Sequence, residues 1–199
     1  MSDHHDQATG RSPISDDELN RITVGERKAH NAPITLADYN PAWPKLFAHE
    51  ADRIQAALGP GALLLEHVGS TSVPGLAAKP IIDMLLVVPN SADEPSYVPA
   101  LEAAGYRLWI REPAWYEHRL FHGPDTPINL HVFSAGCPEI ERILRFRDRL
   151  RGCQADREHY ERTKRRLAQQ VWQHIQHYAD AKTKVIDEIL SRTTTTKSR

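Results

Sequence analysis

Two short apolar runs, residues 62–68 and 81–88, constrain this chain more than any other feature. The first ends in Gly69-Ser70-Thr71-Ser72, and the second is apolar except for Asp83. Both have the length and aliphatic content of buried strands, and turn residues bound them. A carboxylate inside such a strand is costly to desolvate unless a cation or hydrogen-bond donors meet it. A Gly-Ser turn offers backbone N–H groups and hydroxyls to an anion. Together they predict a phosphate seat beside a carboxylate able to hold a metal. The plainer alternative is a serine-capped turn pinned by a structural aspartate.

The surrounding pattern changes type several times. Residues 34–37 read as a short strand, and Asn40-Pro41 as a turn. Pro44 then sits in the first turn of a helix reaching about Leu58, where Gly59-Pro60-Gly61 stops it. Residues 95–104 form a helix closed by Gly105. Residues 106–110, 117–122 and 128–133 supply further strands, with Gly123-Pro124-Asp125-Thr126-Pro127 making the last two an antiparallel hairpin. From Pro138 the chain turns helical. Ile140, Ile143, Leu144, Phe146 and Leu150 form one apolar stripe. Tyr160, Leu167, Val171 and Ile175 mark a second long helix, and Val185, Ile186 and Ile189 a third. This order gives an α+β domain, a mixed β-sheet flanked by helices with a helical C-terminal part.

Residues 1–31 are polar and charged and read as a mostly disordered arm, with a helical turn near Ser15-Asp16-Asp17-Glu18-Leu19. The folded domain is expected over 32–191, with a disordered tail at 192–199. A chain of 199 residues suits one domain, and a formal charge of −1 gives no global attraction to nucleic acid or anionic membrane. Cys137 and Cys153 make neither a disulfide framework nor zinc-ligand spacing. With no apolar run of membrane-spanning length and no secretory leader, the expected location is the cytoplasm, away from membranes.

The segment EHVGSTSVPGLAAKPIIDMLLVV resembles the signature of the GrpB family (UPF0157), a branch of the nucleotidyltransferase superfamily. Residues 34–47 (ITLADYNPAWPKLF) are similar to the family's opening strand and turn, and NLHVF at 129–133 to its later His-containing strand. Residues 146–151, 160–167 and 178–190 resemble its closing helices. The resemblance implies a nucleotidyltransferase-like fold, a nucleotide or other phosphorylated small molecule as partner, and Mg2+ as cofactor. It also implies transfer of a nucleotidyl group to an acceptor. GrpB-like domains are found fused to dephospho-CoA kinases as well, which implies a non-catalytic binding or regulatory module as the alternative. This chain has no Gly-x-x-x-x-Gly-Lys-Ser/Thr loop and so is not itself that kinase.

Superfamily members pair two acids as Asp-h-Asp on one strand face, and here Leu85 stands at the second position. Asp83 is therefore the sole metal candidate of that pair. Gly69, Ser70, Thr71 and Ser72 are the phosphate-seat candidates. Glu66 and His131 are candidates to replace the missing acid or to activate the acceptor; a histidine titrates near pH 6.5 and suits a general base. His131 is equally suited to hydrogen bonding within a sheet. Glu66 and His67 point to opposite faces of a regular strand, and His67 has a core reading as well. Lys79, His118 and Arg119 are further phosphate contacts, Arg119 through its planar fork. Residues 142–166 hold ten basic side chains against four acids. Most of these merely solvate a helix face, but Arg145, Arg147, Arg151, Tyr160 and Lys164 occupy positions resembling family motifs. No interleaved aromatic motif accompanies them, so nucleic acid is disfavoured.

Overall fold

The two apolar runs become adjacent antiparallel strands, and everything else is arranged on the sheet they start. The computed structural model describes residues 13–26 and 30–194. In chain order the elements are α1 (Asp16–Ile22), α2 (Trp43–Leu58), β1 (Leu64–Val68), β2 (Ile82–Val88), α3 (Val98–Ala103), β3 (Arg107–Glu112), β4 (His118–His122), β5 (Ile128–Ser134), α4 (Pro138–Gly152), α5 (Gln154–Ala168), α6 (Ile175–Asp180) and α7 (Thr183–Thr194). The five strands lie in the order β1-β2-β5-β4-β3. β2 and β5 are parallel and the other neighbours antiparallel, so the sheet is mixed.

Alternation along each strand decides what each sheet face meets. On one face Met84, Leu86, Leu130, Val132 and Phe121 pack with Trp43 and Ile54 of α2 and Leu101 of α3. On the other, Val68, Leu85, Val87 and Phe133 pack against Ile140, Ile143 and Leu144 of α4. β2 is covered on both faces, which explains its nearly unbroken aliphatic sequence. Leu150, Tyr160, Val185 and Ile189 join α4, α5 and α7 into a helical layer that also buries Val73 and Leu76 from the loop after β1. The expected mixed sheet with flanking helices and a helical C-terminal part is the fold observed. Among the described residues, no helix is long and apolar enough to cross a membrane.

Three sequence expectations are revised. Residues 34–37 form no strand: only Ala37 pairs, through reciprocal backbone bonds with Ala78 at 2.8 and 2.9 Å. The helix predicted through Val171 and Ile175 ends at Ala168, where the Trp172 indole N–H donates to the Leu167 carbonyl at 2.8 Å. Val171 and Ile175 are 70% and 45% exposed, so apolar spacing there did not reflect burial. Finally, residues 13–26 fold onto the domain. The Ser15 hydroxyl caps α1 by accepting from the Glu18 N–H at 3.2 Å, Ile14 and Leu19 are buried, and the Val24 N–H donates to the Trp109 carbonyl at 2.8 Å. Residues 1–12, 27–29 and 195–199, on which the rest of the arm and the tail were expected, lie outside the described set.

Candidate functional site

The register of β1 against β2 places Val68 opposite Asp83, so Gly69 leaves the strand beside that carboxylate. Gly69 has φ +66° and ψ −171°, a conformation open essentially to glycine alone. A methyl group in place of its hydrogen would lie 2.2 Å from Asp83 Oδ2. The glycine is thus required twice, by its backbone and by the close approach. A 3-10 turn over Ser70–Ser72 follows. The parallel register of β5 on β2 sets Asn129 beside Asp83, and the Asn129 amide donates to Asp83 Oδ1 at 2.9 Å. His131, two residues on and on the same face, brings Nε2 to 4.0 Å from Asp83 Oδ1.

Behind His131 runs a buried polar chain. His131 Nδ1 is 3.1 Å from His118 Nε2, and His118 Nδ1 is 2.7 Å from Glu112 Oε2. Glu112 and His118 are both buried. With Glu112 ionised and both rings neutral, His118 Nδ1–H donates to Glu112 and its Nε2 accepts from His131 Nδ1–H. His131 Nε2 is then the ring atom on the Asp83 side, toward the cavity.

The space is a cavity of about 640 Å³ between this sheet face and the helical layer, with Leu19 and Thr23 of the N-terminal segment on its wall. Gly69, Ser70, Thr71, Lys79, Asp83, His131, Arg147, Tyr160 and Lys164 line it, nine of the residues singled out in the sequence. The Lys164 ammonium donates to Ser70 Oγ at 3.0 Å and to the Ala77 carbonyl, and lies 5.0 Å from the centre of the Tyr160 ring. Burial, with Lys182 next, pushes the Lys164 pKa down to about 7. Lys79 and Lys182 are also pushed down, chiefly by burial and in part opposed by Asp83.

The shift has a stability consequence. The folded protein binds fewer protons at Lys164 than the unfolded chain between about pH 7 and the ordinary lysine value of 10.5. Stability therefore rises with pH across that window, because the unfolded state binds more protons. Urea denaturation of the wild type and Lys164→Met at about pH 7 and about pH 10 is expected to show the wild type gaining on the variant at the higher pH. An unchanged difference would contradict this.

The remaining candidates lie elsewhere. Arg119 is on the opposite sheet face, its Nε donating to Glu94 Oε1 at 2.6 Å, so it is buried in an ion pair and is no phosphate contact of this cleft. His118 lies behind His131 rather than on the cavity wall. Arg145 is on the exposed side of α4. Glu66 shares the Asp83 face but accepts from Arg147 Nη1 at 2.6 Å. With Ser72 and Arg151 it lines a second cavity on the other side of the Gly-Ser turn, along with Tyr39 and Phe47. Ser72 Oγ donates back to the Gly69 carbonyl at 2.7 Å, and Arg151 Nε donates to the Ser72 carbonyl at 3.0 Å, so both brace the turn from behind. His67 stacks on Phe47 with ring centres 4.9 Å apart, and burial lowers its pKa to about 4: the core reading holds.

Sequence reasoning passed over Asn129, Lys182, Arg142 and Glu112. Asn129 was legible in principle, since period-two alternation puts it on the His131 face. Lys182, between α6 and α7, carries no spacing signal.

The donor set also bears on the expected magnesium. Leu85, at the position of the second acid, is fully buried, and among the described residues no group of three His, Cys, Asp or Glu side chains is placed to hold a metal ion. The chain itself does not fit a two-metal clamp. A single divalent ion fits only with Asp83 on one side and oxygens of a bound ligand on the other.

The mixed sheet under its helical layer is a fold shared with proteins of a known family. The GrpB protein family model matches residues 33–192, and this chain belongs to the GrpB family. A UPF0157 protein of Halalkalibacterium halodurans is 61% identical over 189 residues, covering 95% of this chain and 97% of that protein. The crystal structure of conserved protein GrpB from Enterococcus faecalis superposes with a TM-score of 0.69 at 33% identity, over 80% of this chain and 99% of that one. A dephospho-CoA kinase of Mycolicibacterium paratuberculosis is 30% identical over 185 residues, covering 80% of this chain and 46% of that enzyme, so the likeness spans less than half of the kinase.

Proposed function

We propose that the cleft binds a nucleotide or other phosphorylated small molecule and transfers a nucleotidyl group from it to an acceptor. The observation that carries this reading is the meeting of the Gly69-Ser70 turn, Asp83, His131 and three lysines around one cavity. Turn N–H groups and ammonium groups are the donors that phosphate oxygens require, and partial removal from water strengthens each contact. The His131 lone pair takes the proton of the acceptor hydroxyl. The acceptor oxygen then bonds to the α-phosphorus, the α–β anhydride bond breaks, and pyrophosphate leaves. Glu112, through His118, holds His131 in the tautomer this needs. When bound, magnesium would be held by Asp83 together with the ligand's phosphate oxygens and would stabilise the charge that develops on phosphate.

One observation favours a second reading, a non-catalytic binding or regulatory module: Leu85 stands where the second acid would be. Pyrophosphate release from nucleoside triphosphates separates the two. Under the first reading Asp83→Asn is expected to lower release by about a hundredfold or more while leaving the fold intact. Nucleotide binding by the wild type without any release would establish the module instead.

A further inference from the structure

We propose that Lys79, Lys164 and Lys182 together form a metal-independent seat for the phosphate groups of the ligand. This deepens the reading given above and rests on it. The lysines come from three separate segments, the loop before β2, the middle of α5 and the junction of α6 with α7, yet all three line one cavity. Lys164 is 2% exposed and aims its ammonium at the hydroxyl of the Gly-Ser turn. Lys182 holds its ammonium 4.7 Å from the centre of the Tyr178 ring.

The charges around them decide the matter. The cavity's two arginines are already matched: Arg142 by Glu139 and Asp187, Arg147 by Glu66 and Asp148. Three acids stand near the lysines: Asp83 and Asp180 line the cavity with them, while Glu161, off that lining, accepts from the Arg165 guanidinium and the Ala77 N–H. Asp83 accepts from Asn129, and Asp180 accepts from the Ile14 N–H and the Gln176 amide. Three ammonium groups therefore face those two lining carboxylates, which are shared with other donors. Buried like charges repel, and Lys182 depresses both of the others. A bound phosphate dianion would relieve both the desolvation and the repulsion. A divalent cation at the same place would add to the repulsion and find one carboxylate where its superfamily site has two.

The test is calorimetric titration of the full chain with ATP and with inorganic pyrophosphate, once with a chelator and once with excess magnesium. Binding in chelator at least as tight as in magnesium is expected. Lys164→Met and Lys182→Gln are each expected to weaken binding in chelator by roughly tenfold to a hundredfold, the loss of one charge-assisted bond. Thermal unfolding verifies that the variants fold; Lys182 is half-buried, so its variant serves if Lys164→Met does not. Binding that appears only with magnesium, or lysine variants that bind like the wild type, would overturn the lysine seat and leave the phosphate-cleft reading standing. No binding of either ligand in either condition would overturn both.

Discussion

Replacing Gly69 by alanine is expected to destabilise the protein by about 3 kcal/mol or more, combining backbone strain at positive φ with a clash in a packed site. The new methyl group would sit 2.2 Å from Asp83 Oδ2 and 2.8 Å from Asp83 Cβ, far inside contact distance. The turn or β2 must move, and either movement parts the carboxylate from Ser70. Loss of ligand binding should therefore accompany the loss of stability. The two causes are separable by a double-mutant cycle, because the clash requires Asp83 and the strain does not. In an Asp83→Gly background the alanine is expected to cost less, with the backbone share remaining. Urea denaturation of the four proteins gives the coupling. Full additivity would mean that the turn and the carboxylate do not touch as described.

Leu85→Asp, which restores the Asp-h-Asp pattern on paper, is expected to unfold the protein rather than create a metal site. Leu85 is fully buried between Val68, Val87 and Phe133 under α4. The substitution removes a core side chain, costing about 2–5 kcal/mol as a truncation, and puts a carboxylate in place of a fully buried aliphatic group. The sum approaches the whole stability of an ordinary domain. A shift of the urea midpoint by several molar, or failure to accumulate folded protein, would agree. A stable variant with gained magnesium affinity would instead show that the sheet face opens beside Asp83, and would undo the packing argument for Leu85.

The legible part of the site is the part built from local chain geometry. Gly69 ends one strand and Asp83 begins its antiparallel neighbour, so a strand–turn–strand reading already brings them together. Tyr160 and Lys164, four residues apart on one helix, fall on one face for the same kind of reason. Arg119 shows where this stops. In His118-Arg119-Leu120 alternation says that 118 and 119 part company, but not which sheet face lies under the helical layer. Arg119 went to the far face and found Glu94, a partner 25 positions away. Glu66 shares the right face, and Ser72 lies one turn from the cavity, yet both look into the neighbouring space. Lys182 joins the lysines only because the α6–α7 junction is folded back over the sheet.

The amino-acid sequence alone determined the strands on either side of the Gly-Ser turn, the mixed α+β class, the family signature and the pairing of that turn with Asp83 as one candidate seat. Each depends on steric preference, side-chain periodicity or proximity along the chain. Tertiary structure decided the parallel pairing that brings Asn129 to Asp83, 46 positions away, the alignment of Glu112 with His118 and His131, and the gathering of three lysines. These follow from register and from the docking of the helical layer, which are set by contacts between distant segments that no local pattern encodes.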